Sequence, residues 1–201
     1  MTRRLVDVQV RDGARAAVVV MHGGASRPGQ AVVSPAQLSV LRMIPVARRV
    51  ARTGGRRLAV TRLLNSARGW DTDLTPVDDA VWAIQRLCDR LGDVPVALVG
   101  HSLGGRAALL AGADPAVRSV VALNPWVQPH DDADLSGRHV LVVHGTEDRV
   151  ASPVRSRAMA ERLSRRADVE FLDVPGGKHA MLSHGRTFER AAADFVAETL
   201  A

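Results

Sequence analysis

Short runs that are apolar throughout alternate along this chain with longer stretches in which apolar residues recur every three or four positions. The first pattern is that of strands buried on both faces, the second that of helices with one buried stripe. Residues 5–10 alternate instead, with Val6, Val8 and Val10 separated by polar positions, which predicts an edge strand. A continuous apolar run at 16–21 stops at Gly23-Gly24 and predicts the next strand. Further strands are predicted over 58–64, 94–99, 117–123, 139–143 and 169–174. Helical spacing marks 35–52 through Leu38, Leu41 and Ile44, with Pro45 predicting a kink or break. A second helix opens at Thr75-Pro76, with Thr75 as cap, Pro76 in the first turn, and Asp78 and Asp79 near the positive end of the helix dipole. Its stripe runs through Val77, Val81, Ile84, Leu87 and Leu91. Helices at 104–113, 153–166 and 187–200 complete the set.

Buried strands alternating with helices imply an α/β fold, with a mostly parallel sheet covered by helices on both faces. No linker, composition break or internal repeat divides the 201 residues, so a single domain over 1–201 is expected. The least regular segment, 125–137, holds Pro125, Pro129, Asp131, Asp132 and Asp134 and is predicted to be an exposed loop.

Apolar residues make up 46% of the chain but aromatics only 3%, without a single Tyr, so the core must be built from Val, Leu and Ala. The formal charge of +6 comes almost wholly from arginines, Lys178 being the only lysine. These arginines are scattered, and runs such as Arg48-Arg49 and Arg165-Arg166 are short, so no nucleic-acid partner is expected. Cys88 stands alone, which rules out an intrachain disulfide, and its apolar helical setting makes it a small core residue. Asp7, Gln9 and Arg11 interrupt the start of the chain before any signal-like apolar core, and no apolar run reaches the ~18 residues of a membrane span. A soluble cytoplasmic protein with no membrane partner, monomer or homodimer, is expected.

The most specific motif is Gly100-His101-Ser102-Leu103-Gly104. A G-x-S-x-G sequence gains meaning from context, and here a buried strand precedes it and a helix follows at once. Such a strand-to-helix turn strains the serine backbone and lifts its hydroxyl above the sheet end, with the helix N-terminus behind it. Gly100 and Gly104 suit a turn in which side chains would collide. A dinucleotide-binding fingerprint is absent, because G-x-G-x-x-G does not occur here.

A serine hydroxyl needs a neighbouring base to become a nucleophile. Downstream of the serine, Asp148 follows the strand at 139–143, and His179 lies in the loop Gly176-Gly177-Lys178-His179-Ala180 before the last helix. The order Ser, Asp, His is that of nucleophile-elbow hydrolases. Glu147, Asp131, Asp132 and Asp134 are the alternative carboxylates. His184, His101, His139 and His144 are the alternative bases, with the His101 side chain expected to point away from the serine. The oxyanion hole would take one backbone N–H from Leu103 and a second from Met21-His22-Gly23-Gly24-Ala25, with Gly24 first and Ala25 second.

Together, 16–24, 100–105, 144–150 and 177–179 resemble the α/β-hydrolase superfamily, and most closely its small bacterial serine hydrolases near the dienelactone-hydrolase-like and carboxylesterase branches. The resemblance implies a seven-stranded sheet and an ester- or thioester-cleaving activity on small to medium acyl substrates, with no cofactor and no metal. Only about 15 residues separate the strands at 117–123 and 139–143, so the cap domain of larger members is not expected, and neither is a full connecting helix. The nucleophile is Ser where dienelactone hydrolases carry Cys, so their substrate does not carry over. Trp70, Trp126 and Met181 are the candidates for lining the substrate pocket.

Overall fold

The computed structural model describes residues 3–24, 32–69 and 74–200. Seven strands form one sheet: β1 (Arg4–Gln9), β2 (Ala16–Met21), β3 (Leu58–Leu64), β4 (Val96–His101), β5 (Val117–Leu123), β6 (His139–Gly145) and β7 (Asp168–Val174), in the order β1-β3-β2-β4-β5-β6-β7. β1 pairs antiparallel to β3 at one edge, and every other pairing is parallel. This is the sheet predicted from the apolar runs, and β2 and β4 at its centre are buried at every residue.

The helices are α1 (Leu38–Leu41), α2 (Met43–Gly54), α3 (Thr75–Leu91), α4 (Leu103–Ala111), α5 (Pro153–Leu163) and α6 (Gly185–Thr199). Alternate strand residues point to opposite layers. Ala17, Val19 and Met21 of β2 join Val96 and Leu98 of β4 beneath α3, α4 and α5. Ala16, Val18 and Val20 join Ala97 and Val99 beneath α2 and α6. Cores this poor in aromatics are closed by small helical residues, Ala107, Ala108 and Ala111 on one face and Ala47, Ala192 and Ala193 on the other. Among the described residues, no helix is long and apolar enough to cross a membrane.

One local expectation is met and two are revised. The predicted helix at 35–52 is interrupted at Arg42, because Pro45 has no N–H to give to Leu41 and belongs in the first turn of α2. Thr75 does not hold the cap position of α3. Leu74 does, in a left-handed conformation with φ 55°, and Thr75 is the first helical residue. Asp79 is fully buried and accepts from Ser66 N at 2.7 Å and Ser66 Oγ at 2.9 Å, so it ties the loop after β3 to α3 rather than merely favouring the dipole. Cys88 is half-buried, and burial raises its thiol pKa, which keeps it protonated.

The connection from β5 to β6 contains no helix, but it is not a free loop either. Val127, Asp131 and Leu135 are buried. Asp131 accepts from Arg106 of α4 through Nε at 2.8 Å and Nη2 at 2.6 Å, and from Gln128 N at 2.7 Å. A buried ion pair and two apolar anchors thus hold this segment in the layer that a crossover helix would otherwise fill.

Candidate active site

Ser102 sits at the N-cap of α4 with φ 56° and ψ −119°, a conformation that costs a non-glycine residue on the order of 1–3 kcal/mol. Close backbone packing enforces it. A Cβ on Gly100 would fall 2.1 Å from Gly104 O, and one on Gly104 would fall 2.5 Å from His22 O. The G-x-S-x-G spacing is therefore dictated by contacts across the turn and onto β2. Ser102 N donates to Leu123 O at 3.0 Å, and Ser102 O accepts from Trp126 N at 3.1 Å, which anchors the turn to the end of β5.

The Ser102 hydroxyl lies 2.9 Å from His179 Nε2, and His179 Nδ1 lies 2.7 Å from Asp148 Oδ2. With a carboxylate on Nδ1, that nitrogen carries the proton and donates it to Asp148. Nε2 is then free to accept from the serine. Asp148 Oδ1 accepts from Val150 N at 2.8 Å and Ala151 N at 2.9 Å. Burial alone would raise the pKa of Asp148, but the rings of His144 and His179 and these two backbone N–H groups outweigh it and hold the carboxyl well below its ordinary value.

The rival acids and bases lie elsewhere. Glu147 is exposed, 4.0 Å from Lys178 Nζ. Asp131 is engaged by Arg106, and Asp132 and Asp134 face solvent. His139 pairs with Asp168 at the surface, and His184 caps α6. His144 Nε2 stands 3.3 Å from Asp148 Oδ2, within ion-pair distance but off hydrogen-bond geometry. His101 is fully buried, and its Nε2 donates to His179 O at 2.8 Å while its ring packs 4.9 Å from that of His179. Burial, aided by the His179 charge, pushes the His101 pKa down to about 3, so the ring is neutral. His101 thus turns from the serine hydroxyl, as expected, but supports the histidine that faces it.

One supporting residue carries no motif. Asn124, just past β5, is completely buried with φ 43°. Its Oδ1 accepts from Gly145 N at 2.8 Å, and its Nδ2 donates to Lys178 O at 3.2 Å and His179 O at 3.3 Å. It joins its own loop after β5 to the aspartate and histidine loops at one point. The signal for it in the sequence was slight: a polar residue directly after an apolar strand and before Pro125.

A cavity of about 290 Å³ opens over Ser102 and His179, lined also by Gly23, Gly24, Arg42, Leu103, Trp126 and Val150. The backbone N–H groups of Gly24 and Leu103 donate to no protein acceptor among the described residues. A Cβ on Gly24 would fall 2.1 Å from Arg68 O and 3.2 Å from Leu103 Cδ1, so only glycine fits there. Trp126 lines the cavity, its ring 5.9 Å from the Arg106 guanidinium. Met181 does not line it. A left-handed backbone at φ 55° turns Met181 inward, and it is buried in the cluster beneath α6. Ala25 and Trp70 lie outside the described residues. Among the described residues no group of three or more His, Cys, Asp or Glu is arranged to hold a metal ion.

A sequence profile described as alpha/beta hydrolase fold matches residues 64–140. The same architecture recurs in a Xanthomonas campestris protein described as an α/β serine hydrolase without lid, with a TM-score of 0.73 at 19% identity over 98% of this chain and 88% of that one. The chain has the α/β-hydrolase fold. Two further structures with this fold are similar. A Pyrobaculum calidifontis esterase gives a TM-score of 0.71 at 20% identity, covering 98% of this chain and 86% of that one. The Butyrivibrio proteoclasticus protein Est1E, in a complex with ferulic acid, gives 0.70 at 16%, covering 98% and 94%. No curated protein matches the chain in sequence. As in the lidless relative, this α/β-hydrolase fold carries no cap: the 15 residues between β5 and β6 form no helix and are tied to α4 by Arg106 and Asp131.

Proposed function

We propose that the protein is a serine hydrolase that cleaves carboxylic ester or thioester bonds of small to medium acyl substrates, with Ser102 as nucleophile, His179 as general base and acid, and Asp148 as the residue that orients His179. The observation that carries this reading is the continuous relay from Ser102 Oγ through His179 to Asp148, at 2.9 and 2.7 Å, starting from a strained serine at the floor of a cavity. The names of the similar esterases support the same class.

In the reaction, the Ser102 hydroxyl gives its proton to His179 Nε2 as Oγ attacks the substrate carbonyl carbon. Asp148, held ionised by His179, the N–H groups of Val150 and Ala151 and the nearby His144 ring, stabilises the resulting imidazolium without taking its proton. The oxyanion is received by the N–H of Leu103 and the N–H of Gly24, with Ala25 as the other source of the second donor. Each such donor contributes on the order of 10²–10³ in rate. Collapse of the tetrahedral intermediate expels the alcohol or thiol, which takes the proton from His179 and leaves an acyl group on Ser102. A water molecule then attacks the acyl carbon as His179 accepts its proton, and the acyl–Oγ bond breaks as His179 returns that proton to Ser102 Oγ, releasing the carboxylic acid and the free serine. No cofactor enters these steps.

The test is hydrolysis of p-nitrophenyl acetate, butyrate and octanoate by wild type and Ser102→Ala, with a fluorophosphonate probe in parallel. Wild type should turn over and be labelled at Ser102. The folded variant should lose activity on the order of 10⁴- to 10⁶-fold and take no label. A folded wild type that is neither active nor labelled would overturn the proposal.

A further inference from the structure

Arg42 stands at the interruption between α1 and α2, where Pro45 ends helical hydrogen bonding, and it lines the cavity above Ser102 and His179. Among the described residues its side chain makes no hydrogen bond and no ion pair, and its Nε is buried without a partner. Two other arginines that leave bulk water here find carboxylates, Arg106 holding Asp131 at 2.6 Å and Arg49 holding Glu189 at 3.2 Å, while Arg138, whose Nε is also buried without a partner, gives its Nη donors to the carbonyls of Ser136 at 3.2 Å and Asp114 at 3.4 Å. Among the described residues, no carboxylate lines the cavity beside Arg42. The nearest functional one, Asp148, is fully enclosed and already engaged behind His179.

An arginine in this position is costly unless something meets it. A buried donor left unmade costs about 1–3 kcal/mol, and more when the group is charged. Burial already lowers the pKa of Arg42, and its charge reaches across the cavity far enough to help keep His101 neutral. Apart from the Ser39 hydroxyl, which already accepts from Gln37 Nε2 at 2.9 Å, the other described side chains that line the cavity outside the reacting groups and His101, namely Leu103, Trp126 and Val150, are apolar. The planar guanidinium fork matches a carboxylate, which it binds with paired hydrogen bonds. The cavity, about 290 Å³, is at the lower end of small-molecule sites, so a ligand that reaches Ser102 also lies within reach of its walls.

We infer that Arg42 receives a carboxylate carried by the substrate, so that the preferred substrates are small esters or thioesters bearing a negative charge away from the scissile bond. This rests on the serine-hydrolase reading above and adds the substrate class to it. Arg42 is then the specificity residue, while Ser102, His179 and Asp148 supply the chemistry.

The carboxylate can belong to the acyl part or to the leaving group, and two matched pairs of substrates separate these. The first pair is p-nitrophenyl hemiglutarate and its methyl-capped neutral counterpart. The second is 4-acetoxybenzoate and its methyl ester. Wild type should favour the charged member of one pair in kcat/KM, and Arg42→Gln should lower that charged-to-neutral ratio by about 10- to 100-fold, the worth of a charge-assisted pair of hydrogen bonds. Arg42→Lys should keep part of the preference, since it retains the charge without the fork. Fluorophosphonate labelling of each variant reports an intact Ser102 site. If the neutral esters are hydrolysed but both ratios stay within twofold of wild type in labelled Arg42→Gln, the role of Arg42 is overturned and the hydrolase reading stands. If wild type hydrolyses no member of either pair and takes no label, the hydrolase reading falls and this inference with it.

Discussion

Replacing Asn124 by glycine tests whether one side chain holds the three loops of the site in register. Asn124 is fully buried at φ 43°, so glycine is the substitution that removes the side chain without adding backbone strain. Three hydrogen bonds disappear: the one from Gly145 N at 2.8 Å, and those to the carbonyls of Lys178 at 3.2 Å and His179 at 3.3 Å. At about 1 kcal/mol net for each, plus about 1–3 kcal/mol for a stranded Gly145 N–H, the loss is roughly 4–6 kcal/mol. In a chain of this size that lowers Tm by on the order of 10 °C. Asn124→Ala should be worse by about 1 kcal/mol, because alanine resists the left-handed conformation. His179 O keeps its bond from His101, so the histidine loop should stay folded but lose its fixed position. Misplacement of a reacting group by about 1 Å costs on the order of 10²-fold, so kcat on p-nitrophenyl butyrate should fall 10- to 100-fold with KM changed much less. Thermal unfolding with steady-state kinetics of the two variants decides it. Asn124→Gly with Tm within a few degrees of wild type and kcat within twofold would refute the strap.

Two further outcomes follow from the buried charges. His101 has its pKa pushed from 6.5 to about 3, so the unfolded chain binds the extra proton as pH falls below 6.5. The stability conferred by a neutral His101 is therefore complete above pH 6.5 and drains away toward pH 3 by about 1.4 kcal/mol per unit, at most. Urea denaturation at pH 7, 6, 5 and 4 should show a shallower decline in His101→Gln than in wild type, and parallel declines would contradict the assignment. Asp131→Asn leaves the Arg106 guanidinium buried without its carboxylate and should cost about 3 kcal/mol or more, again by urea denaturation. A loss below about 1 kcal/mol would mean that the segment between β5 and β6 is held by Val127 and Leu135 instead.

What the sequence made legible is what short-range physics dictates. β2 and β4 announce themselves because strands covered on both faces must be apolar at every position, and the turn at Ser102 because only glycines fit its closest approaches. Asp148 and His179 follow from their positions past successive strands. Asn124, Asp79 and Asp131 gave little sign of their roles, since each depends on partners brought near by the tertiary fold: Asn124 reaches 54 and 55 positions along the chain to Lys178 and His179. Met181 was misjudged for a related reason. In the pair Met181-Leu182 either residue could face inward, and the left-handed backbone at Met181 buries the methionine and leaves Leu182 80% exposed.

The site is steadied less by its motif than by the continuation of the sheet beyond it. Ser102 N bonds to Leu123 O, Asn124 N to Val143 O, and Thr146 N to Val174 O, so the parallel ladder runs one residue past the ends of β4, β5 and β6 into the loops that carry Ser102, Asn124 and Asp148. The next layer is equally direct: Glu147 N donates to Gly177 O at 2.9 Å, and a Cβ on Gly145 would fall 2.3 Å from that same oxygen. The aspartate and histidine loops therefore touch backbone to backbone, and their spacing does not depend on flexible side chains. Two non-glycine residues in left-handed conformations, Ser102 and Asn124, stand at adjacent strand ends within this net. Strain of that kind persists only where surrounding bonds over-determine the backbone. The ladder supplies those bonds without a cap domain, and this is how so short a chain can hold a serine, a histidine and an aspartate at hydrogen-bonding distance in an open site.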